Sequence, residues 1–269
     1  MVKIVYLGCI LMILPFPCST ILHKDFASRV QSVLRQFGTF QQYDGIPDCI
    51  HVAHTKAQSV FNSSNDLDGW GSYYAVILIN MYSNPSCYLS KTQTNGIFYK
   101  RLNKELQNKR PRGPESKLWR KVGSLINKAL EIMGLEHVNV VYRGCIYHPE
   151  FSQPEFSFRK ITSTSTNPRV ADMYAGCKTF ILIEYALGLD IERYSQIPDE
   201  SEILLQSTNV YLVEKYTRNE TEIHEEMEKI SPGMMPPEVF VRLRQKHGTS
   251  HTFLSRLLSC SFGICRSGD

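Results

Sequence analysis

The hydrophobic period of this chain changes once, at Gly134, and no other feature restricts its fold so strongly. Up to that glycine, apolar residues recur at helix spacing; beyond it they mostly alternate. Phe26, Val30, Val33, Leu34 and Phe37 mark a first helix, ended by Gly38. Asp48 is placed to N-cap a second, carrying Ile50, Ala53, Ala57, Val60 and Phe61. Asp68 is placed to cap a third, very apolar helix through Tyr73, Val76, Ile77 and Met81. A fourth is expected over residues 94–108, with Ile97, Phe98, Leu102 and Leu106 inward. The fifth follows Pro111-Arg112-Gly113-Pro114 and carries Leu118, Val122, Leu125, Ile126, Ala129, Leu130 and Met133. Gly134 suits the position just past its end. These stripes read as core, and no cofactor is read into them.

Beyond Gly134, residues 137–142 (HVNVVY) read as a strand closed by Arg143-Gly144. Residues 156–162 read as another, running into Ser163-Thr164-Ser165. Asn167-Pro168 has the N-cap and first-turn signature of a short helix through Tyr174. Residues 179–186 (TFILIEYA) form a buried strand, and 202–205 and 209–215 two more. Helices first and strands second is the α+β pattern, with a mainly antiparallel sheet. Residues 217–230 read as an acidic helix, 231–237 as a Pro/Met-rich linker and 237–247 as a basic helix before a Ser-rich tail.

Residues 1–20 read as a secretory signal peptide: Lys3, a short apolar core over 4–16, and a turn-prone exit at Pro17-Cys18-Ser19-Thr20. The apolar core is too short to span a bilayer. Its removal takes away Cys9 and, with cleavage near 18–20, Cys18. Cys49, Cys87, Cys145, Cys177, Cys260 and Cys265 then remain, an even set that points to disulfides in a secreted chain. A Cys145–Cys177 bridge is one expectation from sequence order. Asn62-Ser63-Ser64 and Asn219-Glu220-Thr221 are glycosylation sequons. The tail has no hydrophobic stretch of the length a lipid-anchor signal needs, so the expected location is extracellular, without a membrane anchor.

The net charge of +4 is mild, and no basic block is long enough for a nucleic-acid groove. No CxxC pair or HExxH segment is present, so no metal is expected. No GxGxxG segment is present either, which excludes a Rossmann-type dinucleotide site.

The chemistry is most visible at Glu200-Ser201-Glu202, just before the apolar run Ile203-Leu204-Leu205. If this stretch is extended, both carboxylates point to one face and each raises the other's pKa. Taken alone, it also reads as a solvated acidic turn. Two further features precede it in order. Val141-Tyr142-Arg143-Gly144 ends a strand, and Ser163-Thr164-Ser165 follows twenty residues after Arg143.

This ordered set resembles the R-S-E class of mono-ADP-ribosyltransferases, most closely the animal ecto-enzymes that modify arginine. The resemblance covers residues 43–216, and includes Tyr43-Asp44-Gly45 and the helix before the YRG strand. It implies an ADP-ribosyltransferase-like fold: an N-terminal helical region followed by a split, mainly antiparallel β-sheet core that holds the dinucleotide in a cleft. Together with the leader, this divides the chain into a signal peptide (1–20), a catalytic domain (21–216) and a C-terminal extension of unknown role (217–269) that the resemblance does not cover.

The resemblance also implies the reaction: transfer of ADP-ribose from NAD(P)+ to arginine side chains of extracellular or host proteins, with release of nicotinamide. NAD+ is the co-substrate. By match, Glu202 faces the oxocarbenium-like centre and holds a ribose hydroxyl, and Glu200 faces the incoming guanidinium. Arg143 grips the phosphates with its guanidinium fork. Ser163 orients Glu202, and Tyr142 and Ser165 support the NAD site. Ile197 stands where the family has an aromatic residue, in the loop similar to its target-recognition loop, and Gln206-Ser207-Thr208 replaces its Pro-Pro. Those departures leave two other readings open. One is an NAD+ glycohydrolase using water as acceptor; the other is an inactive secreted binding protein on the same fold.

Overall fold

The structure is a computed structural model that describes residues 18–63, 69–92, 96–151 and 153–246. Five helices come first: α1 (Cys18–Phe37), α2 (Ile46–Ser63), α3 (Gly69–Ser83), α4 (Phe98–Gln107) and α5 (Gly113–Met133). The expected leader lies outside the described residues except for 18–20, which form the first turn of α1.

α3 is apolar all round, and every residue from Ala75 to Tyr82 is buried. Such a helix belongs at the centre of a bundle, and α3 packs against α1, α2, α4 and α5. α5 closes the bundle with an amphipathic stripe ending at Ala129 and Leu130, and Trp119 meets Phe37, Phe98 and Tyr43. α2 starts at Ile46, earlier than an Asp48 cap would allow; Pro47 fits a first turn because its missing N–H would have no partner there. Asp68, the expected cap of α3, and residues 94–95, the expected start of α4, lie outside the described residues. Just before α4 the chain is extended: Leu89 N–H donates to Gly96 O at 2.7 Å.

A disulfide joins Cys49 of α2 to Cys87 after α3. Cys145 and Cys177 are free thiols, against the expected bridge. Cys145 sits directly opposite Thr179 and packs into the sheet's apolar core, whereas a left-handed turn at Cys177 (φ 61°) leaves that thiol partly exposed. Cys260 and Cys265 lie outside the described residues.

The second half forms one seven-stranded sheet. Its strands are β1 (Glu136–Cys145), β2 (Glu155–Phe156), β3 (Thr162–Ser165), β4 (Thr179–Asp190), β5 (Glu202–Leu205), β6 (Tyr211–Thr217) and β7 (Val239–Gln245). Helix α6 (Pro168–Ala175) follows β3, and α7 (Glu220–Ile230) follows β6. β4 is the spine. One edge pairs with β1 along nearly its whole length; the other pairs first with β7 and then, at Gly188–Asp190, with β5. The handover falls at Tyr185, whose φ of 54° kinks the strand. In the gap, side chains replace strand partners: Leu187 N–H donates to Gln245 Oε1 at 2.6 Å, and Asn209 Nδ2 donates to Leu187 O. β5 pairs with β3, and β3 touches β1 through Ser165 and Tyr142, so the sheet splits and folds back on itself.

Two expectations fail here. Residues 156–162 do not make one strand. Arg159 takes a left-handed turn (φ 53°), so Phe156 pairs at the β6 edge while Thr162–Ser165 enters between β1 and β5. Residues 239–245 form no helix. β7 lies between β4 and β6, parallel to the first, so the chain beyond residue 217 contributes a strand to the same sheet. Arg242 and Arg244, two apart on a strand, share one face and meet Glu226, Glu184 and Glu214 there.

Candidate active site

Arg143 and the residue after it are placed by close backbone packing. At Gly144, an added Cβ would stand 2.0 Å from Ala171 O and 2.2 Å from Ala175 N of α6. Only glycine lets the helix lie this tightly on β1. α6 is held at both ends: Asn167 caps its first turn, and Gly176 ends it in the left-handed conformation. The Arg143 guanidinium lies 5.8 Å from the Phe158 ring centre and donates from Nη1 to Ser163 O. The arginine thus ties β1 to β3 while its side chain lines the cleft.

β3 and β5 supply the other two motifs in register. Ser165 pairs with Glu202 and Ser163 with Leu204, so these four side chains share one face. Leu204 belongs to the helical core and anchors that face, whereas Ile203 and Leu205 enter the core on the far side. Thr164, pointing the other way, donates from its hydroxyl to Ile203 O at 2.8 Å.

Glu200-Ser201-Glu202 is not extended throughout, the condition on which both carboxylates would share one face. Glu200 ends a short turn (Pro198–Glu200), Ser201 is left-handed at φ 47° and ψ 48°, and only Glu202 is in a strand. The kink leaves Glu200 half-exposed at the mouth and Glu202 buried inside, 7% exposed. Ser165 holds the turn: its hydroxyl donates to Glu200 O at 2.7 Å and accepts from Asn167 N–H at 2.9 Å. That hydroxyl is therefore spent within the fold. Tyr142 lines the cleft with its ring packed on Phe180.

Burial pushes the Glu202 carboxyl up to about 7; a hydrogen bond from Ser163 opposes the rise, the Glu200 charge adds to it and Arg143 opposes it. Three residues from other elements complete the surroundings. Tyr82 of α3 donates to Ile161 O at 2.7 Å and accepts from Asn103 Nδ2 of α4 at 3.0 Å. Burial raises its phenol well above the ordinary value. Tyr174 of α6 donates to Glu200 Oε1. Lys160 is 9% exposed and donates to Tyr147 Oη at 3.1 Å. Burial, with the Arg143 charge second, pushes its ammonium down to about 8.

These groups surround a cleft of about 370 Å³, of ligand-pocket size. Arg143, Ser163, Glu200, Glu202, Tyr142 and Ser165 all line it, as do Tyr82, Asn103, Tyr147 and Tyr174, which the sequence reading missed. Tyr82 lies at the end of an apolar helix and Asn103 beside the inward Leu102, and nothing in sequence marks them out. Among the described residues no group of three or more His, Cys, Asp or Glu is placed to hold a metal ion. Nor is any helix there long and apolar enough to cross a membrane.

A buried carboxylate, an arginine and a serine that hydrogen-bonds the carboxylate thus share one cleft. Residues 87–231 match the family described as NAD:arginine ADP-ribosyltransferase, more than half of the 269-residue chain. The chain belongs to this family. Its fold is that of solved ADP-ribosyltransferases. The eukaryotic mono-ADP-ribosyltransferase ART2.2 is similar over 84% of this chain and 89% of its own, at 15% identity and a TM-score of 0.58. An ART2.2 mutant in complex with NADH is similar over 91% of both chains, at 16% identity and a TM-score of 0.56. Exoenzyme S from Pseudomonas aeruginosa, in complex with human 14-3-3 protein beta and bound to carba-NAD, is similar over 88% of this chain and 97% of its own, at 16% identity and a TM-score of 0.52. No curated protein sequence matches this one. The family match begins at Cys87, so it takes in α4, α5 and the sheet up to α7; Arg143, Ser163, Glu200 and Glu202 lie inside it, and Tyr43-Asp44-Gly45 lies before it.

Proposed function

We propose that this ADP-ribosyltransferase is a secreted enzyme that transfers ADP-ribose from NAD+ to arginine. The observation that carries the reading is the division of the acidic pair: Glu202 buried beside Ser163 and Arg143, and Glu200 held at the mouth by Tyr174.

The bond between ribose C1′ and the nicotinamide nitrogen breaks with both electrons going to the ring, which leaves neutral. Positive charge develops at C1′, where Glu202 is the catalytic carboxylate that stabilises it. Burial pushes its carboxyl up to about 7, near the operating pH. The positive ring of bound NAD+ favours the ionised form, as an opposite charge nearby does. Arg143 receives the phosphates, and the nearby ammonium of Lys160 adds positive potential on that side. A guanidinium nitrogen then bonds to C1′ and gives up a proton, with Glu200 as the acceptor. A free guanidinium is protonated and a poor nucleophile, so a carboxylate at that place has a task.

Labelled NAD+ and agmatine test the reading in one incubation. Labelled agmatine supports it. Labelled ADP-ribose alone would favour the glycohydrolase, in which water takes the acceptor's place beside half-exposed Glu200. No turnover would favour a binding protein on the same fold.

A further inference from the structure

α3 is apolar all round, yet Asn80, at one of its fully buried positions, is an amide. Burying such a group costs free energy unless its hydrogen bonds are made. They are made to one segment, distant in sequence. Asn80 Nδ2 donates to Tyr194 O at 2.8 Å, and Oδ1 accepts from Gln196 Nε2 at 3.4 Å. An apolar side chain of similar size would fill the space without that cost. What the amide adds is position: it fixes residues 194–196 against the helical bundle.

That segment leads to Glu200. Within it, Tyr194 N–H and Ser195 N–H both donate to Ile191 O, and Ile197 N–H donates to the hydroxyl of buried Ser195. These bonds make residues 191–197 one unit. A tether at Tyr194 therefore carries through to Ile197, which lines the cleft just before the Pro198–Glu200 turn. On the far side of the turn, Ser165 holds Glu200 O. The outer carboxylate thus hangs between two anchors, Asn80 of α3 ahead of the turn and Ser165 of β3 behind it. Glu202 is placed separately, by the pairing of β5 with β3 and β4.

We propose that Asn80 is a positioning residue for the acceptor step: by tethering the segment before the turn, it holds Glu200 where the incoming guanidinium meets it. Asn80 does not line the cleft, so it acts only through that segment. This rests on the transferase reading and adds to it a residue, outside the cleft, that sets how well arginine competes with water.

The test is Asn80→Leu, assayed with labelled NAD+ and agmatine. The variant keeps the apolar packing of α3 and removes the donor to Tyr194 O. KM for agmatine should rise, and the ratio of transfer to hydrolysis should fall by about fivefold or more, the scale of one lost hydrogen bond. KM for NAD+ and the rate of hydrolysis should stay near the wild-type values. In a Glu200→Gln background the substitution should add nothing. Gln196→Ala, at an exposed position, removes only the longer bond and should lower the ratio by about twofold. Folding of each variant is checked by Tm. An unchanged ratio in Asn80→Leu would overturn the proposal. So would equal loss of transfer and hydrolysis with a raised KM for NAD+, which would make Asn80 a support of the whole cleft. If Asn80→Leu does not fold, Gln196→Ala decides, and an unchanged ratio there overturns the proposal. A wild type that never labels agmatine would overturn the transferase reading itself, and the role of Asn80 with it.

Discussion

The Tyr174 hydroxyl donates a hydrogen bond to Oε1 of Glu200, linking α6 to the turn that carries the outer carboxylate. α6 is fixed on β1 through Gly144, so the strand bearing Arg143 also sets where Glu200 points. That hydrogen bond is also the first cause of the raised Tyr174 phenol, which stays protonated and able to donate. Bonds to charged groups contribute about 1.5–3 kcal/mol. Tyr174→Phe should therefore lower the ratio of transfer to hydrolysis by about tenfold or more, and should add nothing in a Glu200→Gln background. An unchanged ratio, or equal effects in both backgrounds, would remove Tyr174 from the acceptor side.

Arg143→Lys separates two roles of one side chain. A lysine keeps the charge but cannot bond Ser163 O and still offer a fork to phosphate. KM for NAD+ should rise about tenfold or more, as when a charged hydrogen bond is lost. Tm should fall by a few degrees, roughly a 1 kcal/mol loss, because the β1–β3 tie goes too. Steady-state kinetics and a melting curve check both; an unchanged KM would take Arg143 off the phosphates.

The parts of this molecule that could be read in advance are those where a local pattern has one physical solution. The stripes of α3 and α5 had nowhere to go but a bundle core, and Arg143, Ser163 and Glu202 came as an ordered set. β7 was misread because Arg242 and Arg244 look like a solvated basic face; their ion pairs with Glu226, Glu184 and Glu214 are distant in sequence. The break between β2 and β3 falls at Arg159, a left-handed residue with no glycine or proline to announce it. The left-handed Ser201 is the same kind of omission, and it is what separates Glu200 from Glu202. Tyr82, Asn103, Tyr147 and Tyr174 reach the cleft only through tertiary packing, which no local spacing encodes.

Glu202 should leave a mark on stability. Its carboxyl is raised by burial from 4.5 to about 7. Between those values the unfolded chain is ionised at this group while the folded protein keeps the proton. Stability therefore falls as pH rises through that window, by on the order of 3 kcal/mol, and the full cost is present above about pH 7. Glu202→Gln removes it. The variant should melt above the wild type at about pH 8 and gain little at about pH 4. A gain of equal size at both would mean that the carboxyl is not buried in its charged form.

The most direct test of the account compares transfer to agmatine and hydrolysis of NAD+ in Glu202→Gln and Glu200→Gln, with folding checked in each. Removing the charge that faces C1′ should lower both activities together, on the order of 10²-fold or more. Removing the outer carboxylate should collapse transfer while hydrolysis continues, since the ribose side is intact and water can reach the half-exposed mouth. Equal loss of both activities in Glu200→Gln would contradict the division of labour, and unchanged NAD+ turnover in Glu202→Gln would return the pair to an acidic turn before a strand.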